Sequence, residues 1–189
     1  MAAPPAPSLI LASTSPRRRE ILEQLRIPFD VVAPGYEEAS GDPVEHALGK
    51  ARSVGFFDER PVLGCDTEVI CGGRVYGKAD TQEDAEAMLE SLAGRTHEVV
   101  SGLALLTPAW EEVHREVTRV TFRPLTPRAV ARYVESREWE GRAGAYAIQG
   151  LGASLVERIE GDYLNVVGLP AALLVRLLAD RFPGVYGFG

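Results

Sequence analysis

The stretch LASTSPRRREIL, residues 11–22, marks the place where an apolar strand gives way to a helix. The run LILA at 9–12 predicts a buried strand, and apolar residues recur after it at helical spacing. Ser15 followed by Pro16 is typical of an N-cap and a first helical position. The stretch therefore predicts a strand–turn–helix unit whose helix begins at Ser15.

Three consecutive arginines occupy the first turn of this helix, where the helix dipole makes positive charge unfavourable. Arg18 stands at the third helical position, where a capping box would carry an acid. Free backbone N–H groups and the Arg17 and Arg18 guanidinium groups together predict an anion site suited to phosphate. A solvated basic turn is the alternative, and we favour it for Arg19, which can pair with Glu23.

Strand-like and helix-like segments alternate along the rest of the chain, which predicts an α/β fold. The Gly72-Gly73 pair predicts a hairpin within residues 61–78, and Thr81 is the predicted N-cap of an acidic helix. The other predicted strands are FDVVAP (29–34), THEVVSGLALLTP (96–108), EVTRVTFRPL (116–125), SLVERI (154–159) and YLNVV (163–167). Further helices are predicted at 43–57, 126–136 and 170–179.

Size and composition suit a globular protein, since 46% of the 189 residues are hydrophobic and 25% are charged. We predict a short disordered tail at 1–7 and a single two-lobed domain at 8–189. No stretch approaches the roughly 20 apolar residues of a membrane span, and MAAPPAPS is not expected to be a signal peptide. Cys65 and Cys71 lack zinc-site spacing and are expected to be reduced, which favours a cytoplasmic protein.

The formal net charge of −7 argues against a nucleic acid polymer as partner, because such binding needs a basic surface. A small anionic ligand is still compatible with this charge, since clustered arginines dominate the potential of their own pocket. We expect Arg17 and Arg18 to make the potential of such a pocket positive.

Acidic residues and lysines near the middle of the chain could complete a phosphate site. Asp66, in GCDTEV, is either a turn-forming or capping residue, or a general base or metal ligand. Lys78 could neutralise phosphate charge or be solvated. Glu37 and Glu38 follow a predicted strand, and they are either solvated acids or oxygen ligands for magnesium. Lys50, on the helix at 43–57, faces either this site or solvent.

The glycine-rich stretch AGAYAIQGLG, residues 143–152, allows the backbone to approach a ligand closely. Gln149 can both donate and accept hydrogen bonds, as the edge of a pyrimidine base requires. A tight turn with a structural glutamine is the alternative, because no dinucleotide or phosphate-loop fingerprint accompanies these glycines.

Taken together and in this order, three stretches closely resemble the Maf family of nucleotide pyrophosphatases. They are LASTSPRRREIL, GCDTEVICGGRVYGKADTQEDAEAMLESLAGRTHEVVSGLAL and AGAYAIQGLGASLVERIEGDYLNVVGLP, and the resemblance runs from about Ser8 to Leu178. It implies hydrolysis of a nucleoside triphosphate to the monophosphate and pyrophosphate. It also implies a divalent cation, with Mg²⁺ as the first expectation and Mn²⁺ as the alternative. It also implies an elongated α/β fold, with a mixed twisted sheet flanked by helices and a cleft between two lobes. A cytoplasmic homodimer is implied as well.

The resemblance also assigns roles to residues. The family's catalytic acid maps to Asp66, and its specificity positions map to Arg17, Thr67 and Gln149. The substrate-binding candidates are Ser13, Ser15, Arg17, Arg18, Lys50, Thr67, Lys78 and Gln149, and the metal-ligand candidates are Glu37, Glu38 and Asp66. Whether Asp66 activates water or holds the metal stays open.

The I-Q-G-x-G form around Gln149 resembles the branch of the family that prefers dTTP and UTP, while the 7-methyl-GTP branch carries a glutamate-glycine segment there. Modified pyrimidine nucleotides are candidate substrates as well. The chain departs from the family pattern at Cys65, where alanine is usual, and in GKADT, which lacks a proline after the lysine. The alternative functions are a phosphomonoesterase and a noncatalytic nucleotide-binding regulator of cell division.

Overall fold

The structure is a computed structural model, and it describes residues 7–38, 41–56 and 58–188. In these residues, a mixed β-sheet of seven strands is flanked by helices. The strands are β1 (Leu9–Leu11), β2 (Phe29–Val31), β3 (Val62–Cys71), β4 (Arg74–Tyr76), β5 (Thr96–Leu106), β6 (Glu111–Phe122) and β7 (Val156–Glu160). The helices are α1 (Pro16–Gln24), α2 (Pro43–Val54), α3 (Gln82–Leu92), α4 (Pro127–Glu135), α5 (Tyr163–Val167) and α6 (Ala171–Arg181), with a 3₁₀ helix at Gly150–Leu155.

The sheet order is β2-β1-β3-β5-β6-β7, and β4 pairs with β3 beside this path. Strand β1 runs parallel to β2 and β3, whereas β4 is antiparallel to β3 and β7 is antiparallel to β6. The predicted α/β class with a mixed sheet is therefore confirmed. The predicted tail at 1–7 falls almost entirely on residues 1–6, which lie outside the described residues.

The chain divides into two compact units. The first comprises Met1–Asp66, Ser101–Glu116 and Gly168–Gly189, and the second comprises Thr67–Val100 and Val117–Val167. Strands β3, β5 and β6 each contribute residues to both units. That the whole forms a single domain stays a prediction.

In the first unit, helix α2 packs against the sheet at two glycines. A Cβ added at Gly64 on β3 would collide with the Ala47 carbonyl oxygen, and one added at Gly102 on β5 would collide with that of Pro43. Ala47 itself is fully buried in a cluster of apolar side chains with Ile10 of β1. The absence of side chains at the two glycines thus lets the α2 backbone lie directly on β3 and β5.

In the second unit, the predicted turn and helix starts are confirmed. The Gly72–Gly73 turn has φ values of 59° and 79°, a region that favours glycine, and it joins β3 to β4. The Thr81 hydroxyl accepts a hydrogen bond from Asp84 N at 3.1 Å at the start of α3. The Thr126 hydroxyl accepts one from Ala129 N at 3.2 Å at the start of α4. Each N-cap therefore satisfies a backbone donor of the first turn.

The strand predicted at YLNVV is wrong, since these residues form the short helix α5. The β-branched valines favour a strand, but the Asp162 side chain accepts a hydrogen bond from Leu164 N at 2.8 Å and so caps a helical turn. The fully buried Asn165 then donates its amide to the Val99 carbonyl oxygen at 3.1 Å. Capping and this tertiary hydrogen bond outweigh the local preference.

A buried aromatic cluster in the second unit contains His97. Its Nε2 lies 2.8 Å from the Tyr146 hydroxyl, and its ring meets the Phe122 ring edge-on at a centroid distance of 4.9 Å. His97 is 1% exposed, and burial lowers its pKa to about 4. The imidazole is therefore neutral in the folded protein at neutral pH.

We expect stability to fall as the pH drops from about 6.5 to about 4, because the unfolded chain binds a proton at His97 that the folded chain excludes. Across this window the free energy of unfolding should fall by roughly 3 kcal/mol in total, and none of this loss should occur above it. Urea unfolding across the window should give a flatter profile for His97→Gln than for the wild type. An equally steep profile for His97→Gln would contradict the prediction.

Candidate functional site

The first unit holds a buried cluster of charged side chains around Asp66. Lys50 Nζ donates a hydrogen bond to Asp66 Oδ1 at 2.6 Å, and it forms a second ion pair with Glu38. His46 Nδ1 lies 3.3 Å from Asp66 Oδ2. Asp66, Lys50 and His46 are all less than a tenth exposed, whereas the Glu38 side chain is half exposed. Burying an unpaired charge is costly, so each charged group of this cluster lies against an opposite charge.

The fold explains why these side chains meet. Gly64 and Asp66 are two residues apart on β3 and therefore face the same side of the sheet, the side on which α2 packs. His46 and Lys50 are four residues apart on α2 and thus share one helix face. The close approach of α2 at Gly64 brings that face within hydrogen-bond reach of the Asp66 carboxylate.

Two effects act on the Asp66 carboxyl group. Burial raises its pKa, but the hydrogen bond and charge of Lys50, the charge of Arg18 and the hydrogen bond to His46 together outweigh burial. The pKa of Asp66 is therefore lowered from its ordinary value, and the group is ionised at neutral pH. An ionised carboxylate can hold a cation or accept a proton.

The cluster offers a donor set that fits a divalent cation. One ligand atom from each of Glu38, His46 and Asp66 lies within 4.8 Å of the others. Two carboxylates and an imidazole are ordinary ligands of divalent metals. Lys50 already places a positive charge between the two carboxylates, which is where opposite charge is most favourable.

The turn between β1 and α1 forms a second group of polar contacts in the same unit. The buried Arg18 donates from Nε to the Gly168 carbonyl oxygen at 2.9 Å and from Nη1 to the Ser13 hydroxyl at 3.1 Å. The Ser13 hydroxyl also accepts from Ser15 N at 3.2 Å. Ser15 is the N-cap as predicted, but its side chain makes no capping hydrogen bond. The first turn of α1 is thus left without a side-chain cap.

The other two arginines of this turn differ from Arg18 in their surroundings. Arg17 is half-buried, and a Cβ added at Gly168 would lie 3.7 Å from its Nε. Arg19 Nη2 makes only a long contact of 3.5 Å with the Thr14 carbonyl oxygen. The described residues contain no ion pair between Arg19 and Glu23, so the expected partner is not the one observed.

Three candidates lie in the second unit. Thr67 is half-buried on β3, directly after Asp66. Lys78 is exposed and forms an isolated antiparallel bridge with Ala143. Gln149 is exposed at the N-cap of the 3₁₀ helix.

The structure thus brings Glu38, Lys50 and Asp66 into one cluster and joins Ser13 to Arg18. Glu37 is exposed, and its carboxylate is not among the clustered ligand atoms of the described residues. Sequence reasoning missed His46. Its spacing of four residues from Lys50 on a predicted helix was the signal that could have found it.

Both Cys65 and Cys71 are free, as predicted, and the structure buries both of them. Among the described residues, no helix is both long enough and apolar enough to cross a bilayer.

Comparisons with known proteins agree with the resemblance drawn from the motifs. A dTTP/UTP pyrophosphatase of Moorella thermoacetica is 48% identical over 189 residues, which cover 95% of this chain and 97% of that protein. The dTTP/UTP pyrophosphatase of Deinococcus radiodurans is 44% identical over the full length of both chains. That of Pyrococcus furiosus is 40% identical, covering 90% of this chain and 93% of its own. A family model described as Maf-like protein matches residues 8–181, and the chain therefore belongs to the Maf family.

Proposed function

We propose that this chain hydrolyses dTTP and UTP to the nucleoside monophosphate and pyrophosphate. The observation that carries the proposal is the buried ion pair of Asp66 and Lys50, with Glu38 at its side and Arg18 close enough to lower the carboxyl pKa. Buried, mutually paired charges of this kind cost stability and concentrate at functional sites. Relatives of similar length at 40–48% identity are named dTTP/UTP pyrophosphatases.

In the proposed reaction, a water molecule attacks the α-phosphorus in line with the leaving group. A bond forms between the water oxygen and the α-phosphorus, and the bond to the oxygen that bridges to the β-phosphate breaks. Pyrophosphate leaves with that electron pair, while the proton of the water passes to a base. Asp66 is the candidate for that base, or else it holds the cation. Lys50 fixes the Asp66 carboxylate in either role.

The phosphate chain would be held by groups that offset its negative charge. Arg17, Arg18 and Lys78 supply the cationic side chains, and Ser13 and Ser15 supply hydroxyl groups at the start of α1. The helix N-terminus adds backbone N–H groups and the favourable end of the helix dipole. A triphosphate placed there would turn the unfavourable position of the arginines into a favourable one.

Glu38, His46 and Asp66 would hold the divalent cation, with Glu37 as a further candidate. When bound, the cation would supply positive charge that stabilises the charge developing on the phosphates. Two carboxylate ligands favour the hard cations, so Mg²⁺ is our first proposal and Mn²⁺ the second.

Base preference is assigned to Gln149 and Thr67, with Arg17 as the third specificity position. The exposed amide of Gln149 carries both donors and an acceptor, which the edges of thymine and uracil require. A modified pyrimidine nucleotide with the same edge would be accepted too. We also propose a cytoplasmic homodimer, on the family resemblance, and sedimentation of the purified chain tests the dimer.

A panel of nucleoside triphosphates with identified products tests the proposal. We expect kcat/KM for dTTP and UTP to exceed that for GTP and 7-methyl-GTP by at least about tenfold, because this ratio measures discrimination. Monophosphate and pyrophosphate should be the products.

Three outcomes would contradict this function in different ways. Release of inorganic phosphate alone would indicate a phosphomonoesterase. A nucleotide that binds in the presence of Mg²⁺ and is not hydrolysed would indicate a noncatalytic regulator. A preference for 7-methyl-GTP would overturn the assignment of base preference to Gln149.

A further inference from the structure

The glycine-rich segment at residues 145–152, here called the Gln149 loop, is held by the side chain of Glu138. Glu138 Oε1 accepts a hydrogen bond from Leu151 N at 3.0 Å, and Glu138 Oε2 accepts one from Gly152 N at 3.1 Å. Both oxygens of one carboxylate thus bind consecutive backbone N–H groups of the 3₁₀ helix that follows Gln149.

This arrangement takes over a task that the N-cap residue ordinarily performs. An N-cap side chain commonly accepts a hydrogen bond from the second or third residue of its helix. Gln149 occupies the N-cap and makes no such bond. Because Glu138 satisfies these donors from outside the helix, the Gln149 amide is not needed for capping and is left available for a ligand.

Gly150 fits the same arrangement. Its φ of 60° lies in the left-handed region, and a Cβ added there would lie 2.7 Å from Glu138 Oε1. A side chain at this position would therefore displace the carboxylate as well as strain the backbone. The residue that follows Gln149 thus lies directly against Glu138.

Glu138 itself is anchored, and so is the other end of the loop. Glu138 N donates to the Ser136 hydroxyl at 3.3 Å, and the Glu138 carbonyl oxygen accepts from Arg142 Nε at 3.1 Å. At the beginning of the loop, Ala147 N donates to the Tyr133 hydroxyl at 2.9 Å. The backbone on both sides of Gln149 is consequently fixed by side chains from α4 and the turn after it.

Fixed placement matters because a primary amide presents a donor and an acceptor side by side. Cytosine differs from thymine and uracil at one position of the pyrimidine ring. Thymine and uracil carry a carbonyl acceptor there, whereas cytosine carries an amino donor. A glutamine side chain that is free to move, or to rotate its amide by half a turn, can hydrogen-bond to either kind of base. Preference for the thymine edge therefore requires that the position of the amide be restricted.

We propose that Glu138 is a positioning residue for base discrimination, which it achieves by holding the backbone of the Gln149 loop. This inference rests on the proposed function, in which Gln149 reads the base. Glu138 touches neither the base nor the phosphates in this proposal. Its effect is transmitted through the position of Gln149.

The test compares kcat/KM for dTTP with kcat/KM for CTP in the full-length protein. Glu138→Ala should lower the dTTP/CTP ratio roughly tenfold, chiefly through a higher KM for dTTP. Glu138→Gln, which keeps one acceptor oxygen, should be intermediate. The ratio for one preparation does not depend on the fraction that is folded, so lost stability alone cannot move it. If Glu138→Ala does not fold, Glu138→Gln alone decides.

A double-mutant cycle tests the route through Gln149. In a Gln149→Ala background, Glu138→Ala should produce no further fall in the dTTP/CTP ratio, because the group that it positions is gone. Glu140→Ala is the matched control, since this neighbouring exposed acid forms an ion pair with Arg137 at 2.6 Å. It should keep the wild-type ratio.

An unchanged ratio in both Glu138 variants, with activity lowered equally on the two nucleotides, would overturn the inference and show a structural role. A full effect of Glu138→Ala in the Gln149→Ala background would overturn it too. Failure of the proposed function is a separate result, because the wild-type protein would then release no pyrophosphate from dTTP.

Discussion

Asp66→Asn should lower the rate of pyrophosphate release from dTTP by about 10²–10⁴-fold, the range associated with loss of a general acid or base. The asparagine amide has nearly the shape of the carboxylate, but it carries no charge to hold a cation and cannot accept a proton. Lys50 keeps Glu38 as its partner in this variant. The folded state should therefore survive, with unfolding easier by about 1–3 kcal/mol through the altered buried hydrogen bonds.

Steady-state kinetics and thermal unfolding of the same preparation separate these two effects. Asp58→Asn is the matched control, because Asp58 is an exposed carboxylate that accepts hydrogen bonds from Arg60 N and Nε. That variant should retain wild-type turnover. If Asp66→Asn turns over at close to the wild-type rate, the assignment of Asp66 to the active site is wrong.

Lys50→Met should affect both activity and stability. Methionine preserves much of the side-chain volume but removes the ammonium that lies between Glu38 and Asp66. Breaking a buried ion pair by removing one partner costs about 3–5 kcal/mol, and we expect the lower end because Glu38 is half exposed. Turnover should fall about 10²–10³-fold, as for the loss of one preorganised electrostatic contact.

A cation titration makes this prediction specific. Without the ammonium, the two carboxylates should attract Mg²⁺ more strongly, so saturating Mg²⁺ should raise the Tm of Lys50→Met more than that of the wild type. Arg52→Met is the control on the same helix, since Arg52 is exposed and pairs with Glu111 at 2.6 Å. It should match the wild type in activity and in its response to Mg²⁺. Equal Tm shifts for all three proteins would contradict the proposed cation site.

Local features of the sequence were enough to predict much of the fold. Thr81 and Thr126 precede their helices and cap them, and the Gly72–Gly73 turn joins its two strands. These predictions succeed because capping and turn geometry depend on a few neighbouring residues. The strand prediction for YLNVV failed because a distant contact helps to decide its structure. The buried hydrogen bond from Asn165 to Val99 spans 66 residues of chain.

Most members of the candidate site could be predicted from the sequence, with His46 as the exception, but their contacts could not. The motif containing Arg18 predicted an anion site, yet the guanidinium also binds the carbonyl oxygen of Gly168, 150 residues away. Lys50 could have faced solvent, and only the close packing of α2 at Gly64 turns it toward Asp66. Glu138 carried no sequence signal, because its role depends on the path of a loop that lies 13 residues further along.

Hydrolysis of dTTP in oxygen-18-labelled water, with the products separated and weighed by mass spectrometry, tests the proposed reaction most directly. Attack on the α-phosphorus predicts one labelled oxygen in dTMP and none in pyrophosphate, with dTMP and pyrophosphate formed in equal amounts. Label in pyrophosphate would place the attack on the β-phosphorus. Formation of dTDP and inorganic phosphate would contradict pyrophosphohydrolysis altogether.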